Sequence, residues 1–240
     1  MIDTAILLAA GQGSRLRDVA PSKPLCQVGG VPLIDRALAS LAAAGITRAI
    51  VVTGYEAEAI ERHLAARRWP LAVETVRTAD WRAPNGVSVL AAAPLVDGEA
   101  LLAMCDHLVG PALYRRIAAA GAGAGLRLGI DRRLGHPWVD PDDVTCVATA
   151  GDRITAIGKG LEPHDCYDVG VFAIGPALFD ALTALPAPSL TEGVRVLAAG
   201  ERARIVDCSD LDWIDVDDAK ALEQAEVWQL GSCGSRRSSD

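Results

Sequence analysis

The sequence predicts an α/β protein: one mixed, mostly parallel sheet with helices on both faces. Three observations carry that expectation. Short apolar runs of strand length alternate with longer helix-like segments through the first half of the chain. The first run, TAILLAA, passes straight into the glycine-rich GQGSR, and parallel sheets gather ligands where their strands end. With 240 residues, half of them hydrophobic and 22% charged, the chain can also bury a full core as one domain.

Residues 4–9 read as a buried strand because the run holds no charge. Residues 33–44 follow as a helix that Gly45 stops. Residues 49–53 form a second strand, 56–67 a helix and 71–75 a third strand. After Asn85 and Gly86 a short helix runs to about residue 93, and 100–104 is a fourth strand. Pro111 opens a helix through residue 120, since a first turn needs no N–H from it. The pattern changes beyond residue 125. Residues 126–130, 144–150, 154–157 and 169–174 read as shorter strands joined by polar turns. Helices at 176–185 and 190–199, a strand at 203–206 and a helix at 217–228 complete a domain of residues 1–230. The small, polar tail 231–240 is expected to be disordered.

A net charge of −8 argues against a nucleic-acid partner. Six cysteines stand scattered without a CxxC pair, as expected of reduced thiols in a cytoplasmic protein. No run of about 18 apolar residues occurs, so no membrane insertion is expected. A homo-oligomer stays open.

The chemistry starts at residues 11–25. A dinucleotide fingerprint fails there, because Leu16 stands where its third glycine belongs. A P-loop fails too, because Lys23 lies between Ser22 and Pro24. A longer loop remains, whose backbone N–H groups meet the phosphates of a nucleoside triphosphate while Arg15 and Lys23 supply cations. The plain alternative is a turn with solvated cations. Farther on, LLAMCDHLV puts Asp106 where an apolar strand stops, placed to bind Mg²⁺ or to cap a turn. In DLDWIDVDDAKAL, Asp215 and Asp217 share one face of an extended segment, and such carboxylates repel unless a cation sits between them. Asp217 is equally a candidate helix cap, with Asp218 in the first turn.

LAAGQGSRL, SKPL and VGGVPLI together resemble the amino-terminal signature of the sugar-1-phosphate nucleotidyltransferases, the MobA-like NTP transferase domain. The chain departs from the molybdenum-cofactor guanylyltransferase branch in its longer Arg-to-Lys spacing and in Ala10, where that branch has glycine. The resemblance implies a Rossmann-like sheet of the nucleotide-diphospho-sugar transferase type with a small β-rich acceptor-binding part. Residues 1–125 would form the nucleotide-binding half and 126–230 the acceptor-binding half. The reaction implied joins a phosphate monoester to an NTP, with Mg²⁺ as cofactor and pyrophosphate as product.

Residue by residue, the resemblance makes Arg15, Lys23 and Asp106 catalytic. It gives nucleotide binding to Leu8, Ala9, Ala10, Gly11, Gly13 and Ser14, and to Asn85, Gly86 and Ser88 of APNGVSVL. Lys159 would meet the acceptor phosphate, and Asp168, Gly170 and Glu192 the rest of the acceptor, with valine replacing threonine in Asp168-Val-Gly. Asp106 with Asp215, then Asp217, then distantly Asp212, would hold the metal. NGVSVL, MCDHLV and GKGL with YDVGVF most resemble the CTP-dependent inositol-1-phosphate cytidylyltransferases, so CTP and inositol 1-phosphate are the expected partners. His107 beside Asp106 favours that branch, and His63 is expected to be solvated. Phosphocholine is expected less, because aromatic residues make up only 4% and a quaternary ammonium wants a cage of rings. Another sugar 1-phosphate with another NTP and a non-catalytic nucleotide-sensing domain are the alternatives. A glycosyltransferase would want Asp-x-Asp where Cys105-Asp106-His107 stands.

Overall fold

Residues 5–9 are apolar throughout because β1 (Thr4–Ala9) is covered on both faces. The computed structural model describes residues 2–16 and 20–234. After β1 come β2 (Gln27–Val28), β3 (Val31–Pro32), α1 (Leu33–Ala43), β4 (Arg48–Thr53), α2 (Ala57–Ala65) and β5 (Ala72–Arg77). Then follow α3 (Gly86–Ala92), β6 (Ala100–Met104), β7 (His107–Val109), α4 (Pro111–Ala120), β8 (Leu126–Asp131), β9 (Thr145–Ala150) and β10 (Arg153–Lys159). The chain closes with β11 (Cys166–Ile174), α5 (Pro176–Thr183), α6 (Leu190–Ala199), β12 (Ala203–Asp207), β13 (Trp213–Asp215) and α7 (Ala219–Gly234). The expected strands and helices are present with ends shifted by a few residues. The two- and three-residue strands β2, β3, β7 and β13 were not expected, since so short a segment shows no period. Of the tail, residues 231–234 continue α7, and 235–240 lie outside the described residues.

Nine strands form one sheet in the order β5-β4-β1-β6-β11-β8-β12-β10-β9, and β11 also reaches β9. The amino-terminal part is parallel: β1 pairs with β4 and β6, and β4 with β5. β11 runs against both of its neighbours, β6 and β8, while β12 lies parallel to β8. Side chains alternate between two cores. Ala5, Leu7, Val51, Ala103 and Val171 face α1, α2 and α4. Ile6, Ile50, Leu102 and Phe172 face α3, α5 and α6. His63 on α2 is part-buried and hydrogen-bonded to Asp35 at 2.5 Å, so the expected solvated histidine has a fixed partner instead. A third cluster, Leu16, Val28, Leu33, Leu108, Ile214 and Val216, fastens the β2–β3 hairpin and the β7–β13 pair behind the glycine-rich loop. Among the described residues, no helix is long and apolar enough to cross a membrane.

Candidate active site

Sheet direction decides what meets at the site. β1 and β6 run the same way with Leu8 opposite Met104, so the loop after Ala9 and the Cys105-Asp106 turn emerge side by side. The Cys105 N–H donates to the Leu8 carbonyl at 3.1 Å. β11 runs the other way, with Val171 opposite Ala103, and therefore brings its first residues, including Asp168, to the same edge. The β11–β8 register shifts between Asp168 and Phe172, where Gly170 has φ 76°. A Cβ on Gly170 would lie 2.3 Å from His107 Nδ1, so glycine lets the strand pass the imidazole. β13 pairs with β7, placing Asp215 opposite His107, and the Val216 N–H donates to the Asp106 carbonyl at 3.0 Å. Two stretches about a hundred residues apart in the chain thus become neighbours.

Lys23 stands in the middle. It opens a 3₁₀ turn with Pro24 next to it, and its side chain is buried. Its Nζ lies 2.5 Å from Asp106 Oδ2 and 3.9 Å from Asp215 Oδ1, and it hydrogen-bonds Asp217 Oδ1. Gly13, at φ 59°, lets the loop close on this lysine, because a Cβ there would lie 2.4 Å from Lys23 Cβ. Burial alone would lower the Lys23 pKa, but Asp106 and Asp215 outweigh it and raise it. Burial likewise works against the Asp106 carboxylate, and Lys23 with His107 overcomes it, holding Asp106 below its ordinary value. Burial also favours neutral His107, yet Asp215, Asp106 and Asp168 raise its pKa to about 9. The ring bonds the Val169 carbonyl through Nδ1 at 3.0 Å, and its Nε2 lies 3.4 Å from Asp215. Burial pushes Asp168 up to about 6, against the Gly170 N–H that bonds it at 2.7 Å.

The donor set fits a hard cation. Asp106, His107 and Asp215 offer ligand atoms within 4.8 Å of one another, and so do Asp143, Asp215 and Asp217. Asp215 Oδ1 is buried with no hydrogen-bond partner. Carboxylate oxygens with one left unsatisfied suit Mg²⁺ rather than a soft metal.

Asp143 was not foreseen. It lies in the segment between β8 and β9, 2.9 Å from Arg15, and it also bonds Lys159. Its carboxylate thus holds two cations that the family resemblance leads us to expect at different substrates. Burial disfavours the charge on Asp143, and Lys159 and Arg15 more than offset that, lowering its pKa. Nothing in VDPDD separates it from an ordinary polar turn, and Asp140 does serve that turn by accepting from the Asp142 N–H. Two cavities meet here. One, of about 240 Å³, is lined by Leu8, Ala9, Gly11 and Gly13. The other, of about 470 Å³, is lined by Asn85, Lys159, Asp168 and Gly170. Arg15, Asp106 and Asp217 line both.

The remaining candidates fall differently. Ala10 lines neither cavity, and its carbonyl accepts the Tyr55 N–H at 3.0 Å. Asn85 lines the larger cavity but spends its Oδ1 on the Leu190 N–H at 2.8 Å, anchoring the start of α6. Gly86 and Ser88 are buried in α3 and line neither cavity, and a Cβ on Gly86 would lie 2.5 Å from the Pro188 carbonyl oxygen. That glycine allows helix packing. Glu192 also lines neither cavity and pairs with Arg195 at 2.5 Å, while Thr191 beside it does face the larger one. Asp212 pairs with Arg133 at 3.1 Å, away from Lys23. Asp218 caps α7 by accepting the Ala221 N–H at 2.7 Å, which frees Asp217 for Lys23. Ser14 begins a 3₁₀ turn, and its side chain lies outside the described residues.

Among solved structures, the inositol-1-phosphate CTP transferase from T. maritima superposes with a TM-score of 0.84 over 96% of this chain and 95% of its own, at 22% identity. A UDP-glucose pyrophosphorylase complexed with UDP-glucose reaches 0.79 over 97% of this chain and all of its own, at 15% identity. These likenesses show the fold, a mixed, mostly parallel sheet of the nucleotide-diphospho-sugar transferase type. The MobA-like NTP transferase domain matches residues 5–204, and the chain belongs to that family. The bifunctional IPC transferase and DIPP synthase of Rubrobacter xylanophilus is 33% identical over 241 residues, covering 96% of this chain and 53% of the relative. The chain spans about half the length of the curated relatives it matches.

Proposed function

We propose that this protein transfers a nucleoside monophosphate, CMP from CTP, to the phosphate of a small monoester such as inositol 1-phosphate, releasing pyrophosphate. One observation carries the reading: a buried lysine among three aspartates where a glycine-lined cavity joins a larger one. The names of the T. maritima neighbour and the Rubrobacter relative support the choice of CTP and inositol phosphate.

The acceptor phosphate is ionised at neutral pH, so no residue need deprotonate it. The chain has to align two anions and relieve their repulsion. The loop at Gly11 and Gly13 offers N–H groups to the triphosphate, with Arg15 and Lys23 neutralising the departing pyrophosphate. Lys159 draws the acceptor phosphate, and ionised Asp168 accepts hydrogen bonds from ring hydroxyls. Asp106, Asp215 and Asp217 are the residues that would hold a divalent cation. Bound there, Mg²⁺ supplies Lewis-acid polarisation of the phosphoryl oxygens.

Composition argued against phosphocholine, yet Trp138, Phe172 and Trp213 all line the larger cavity. A quaternary ammonium therefore belongs in the test. Four NTPs are assayed against inositol 1-phosphate, glucose 1-phosphate and phosphocholine by pyrophosphate release. CTP with inositol 1-phosphate is expected to be fastest. A different pair in front would reassign the substrates, and no release from any pair would leave a nucleotide-sensing domain.

A further inference from the structure

Two charged side chains are buried among the described residues, Lys23 and Asp131. Lys23 belongs to the site. Asp131 ends β8, lines neither cavity, and has no exposed surface. A buried carboxylate is costly unless its oxygens are satisfied, and these are. Asp131 accepts from the Trp213 indole N–H at 2.8 Å, the Arg133 N–H at 2.8 Å, and the Arg133 guanidinium at 2.9 and 3.0 Å. The same guanidinium donates to the Leu211 carbonyl at 2.8 Å and to Asp212 at 3.1 Å. Residues 211–213 are therefore fastened to the end of a core strand.

What they lead into is a strand that cannot align itself. β13 has three residues and one partner, β7. So short a pair is marginal on its own, and a one-residue slip would turn Asp215 away from the site. Trp213 and Asp215 share a face. The indole stacks on His107 with centroids 5.9 Å apart and planes 9° apart, and His107 faces Asp215 across the ladder.

We propose that Asp131 is a positioning residue for the transfer reaction: through the Trp213 indole it sets the register of β13 and so holds Asp215 and His107 against Asp106. The role in transfer rests on the function proposed above; the tether itself does not. Trp213→Phe keeps an aromatic ring at that position, leaves the Asp131–Arg133 pair intact and removes the N–H together with some buried ring volume. Asp131→Asn keeps the volume and removes the charge. Amide hydrogen exchange of Ile214 and Val216 is measured by NMR, with Leu7 of β1 as the distant reference. The Mg²⁺ half-saturation and the KM for CTP are taken from pyrophosphate release. In both variants the β13 amides are expected to exchange roughly 10-fold faster beyond any acceleration seen at Leu7. The Mg²⁺ half-saturation should rise about 10-fold or more, as for lost outer partners of a metal ligand, while the KM for CTP holds. Unchanged β13 exchange in Trp213→Phe overturns the proposal, and so does equal acceleration at Leu7, which marks a general loss of stability. Faster β13 exchange in the variants, with a parent protein that never releases pyrophosphate, supports the tether and overturns the transferase reading.

Discussion

Lys23 and Asp106 hold each other charged against burial that disfavours both, so each is the other's condition for staying ionised. Asp106→Ala and Lys23→Ala should each lower pyrophosphate release by about 10²–10³, the usual cost of one preorganised charge contact. Circular dichroism should show both variants folded. An Asp106→Ala protein with normal turnover would sink the charge assignment. Asp131 gives an acid signature. Burial works against its charge, but the hydrogen bonds from Arg133 and Trp213 outweigh that and hold its folded pKa below the ordinary value. Its stabilisation is therefore complete above the unfolded value of about 3.9 and is lost as pH falls through the folded pKa. The difference in urea midpoint between the parent and Asp131→Asn should shrink as pH drops below about 4. A gap that stays constant down to acid would refute it. Lys23 and Arg15 could be picked out beforehand because a glycine-rich loop with spaced cations is a local pattern. Asp131 could not, since an aspartate at a strand end reads as solvated until its partner from residue 213 is in place.

Among the elements, β11 and the β7–β13 pair do what no local pattern announced. The antiparallel β11 brings Asp168 to the edge where β1 and β6 end, and its bulge at Gly170 makes room for His107. Gly170→Ala would place a left-handed residue against the imidazole, a strain of about 1–3 kcal/mol. A lower urea midpoint and slower turnover are expected; a variant matching the parent in both would show the bend to be indifferent to the side chain. β1, β4 and β6 were legible because both faces are covered and their central residues are apolar, while β5 at the sheet edge keeps Glu74 and Arg77. β7 and β13 were hidden because three residues carry no period. α7 starts two residues later than expected because Asp218, rather than Asp217, takes the cap.

Across the whole molecule, residues 1–125 and 126–230 divide in sequence but not in space. β6, from the first half, pairs along one edge only with β11 from the second. Residues 1–125 alone would expose that edge and strip Leu102 of its α5 and α6 partners, and are expected to aggregate or stay unfolded by circular dichroism. A soluble fragment with a cooperative melting transition would show that the halves are separable domains.

Apolar runs, glycine positions and the order of charged residues determined the main strands, the glycine-rich loop and most of the candidate acids, because each of these depends on neighbours within a few residues. Only the tertiary structure decided that Asp143 joins Arg15 to Lys159, that Gly86 serves helix packing, and that Asp131 reaches Trp213. Those roles follow from which strands lie side by side and in which direction. Hydrogen bonds between segments distant in the chain fix that pairing, and no short stretch of sequence records it.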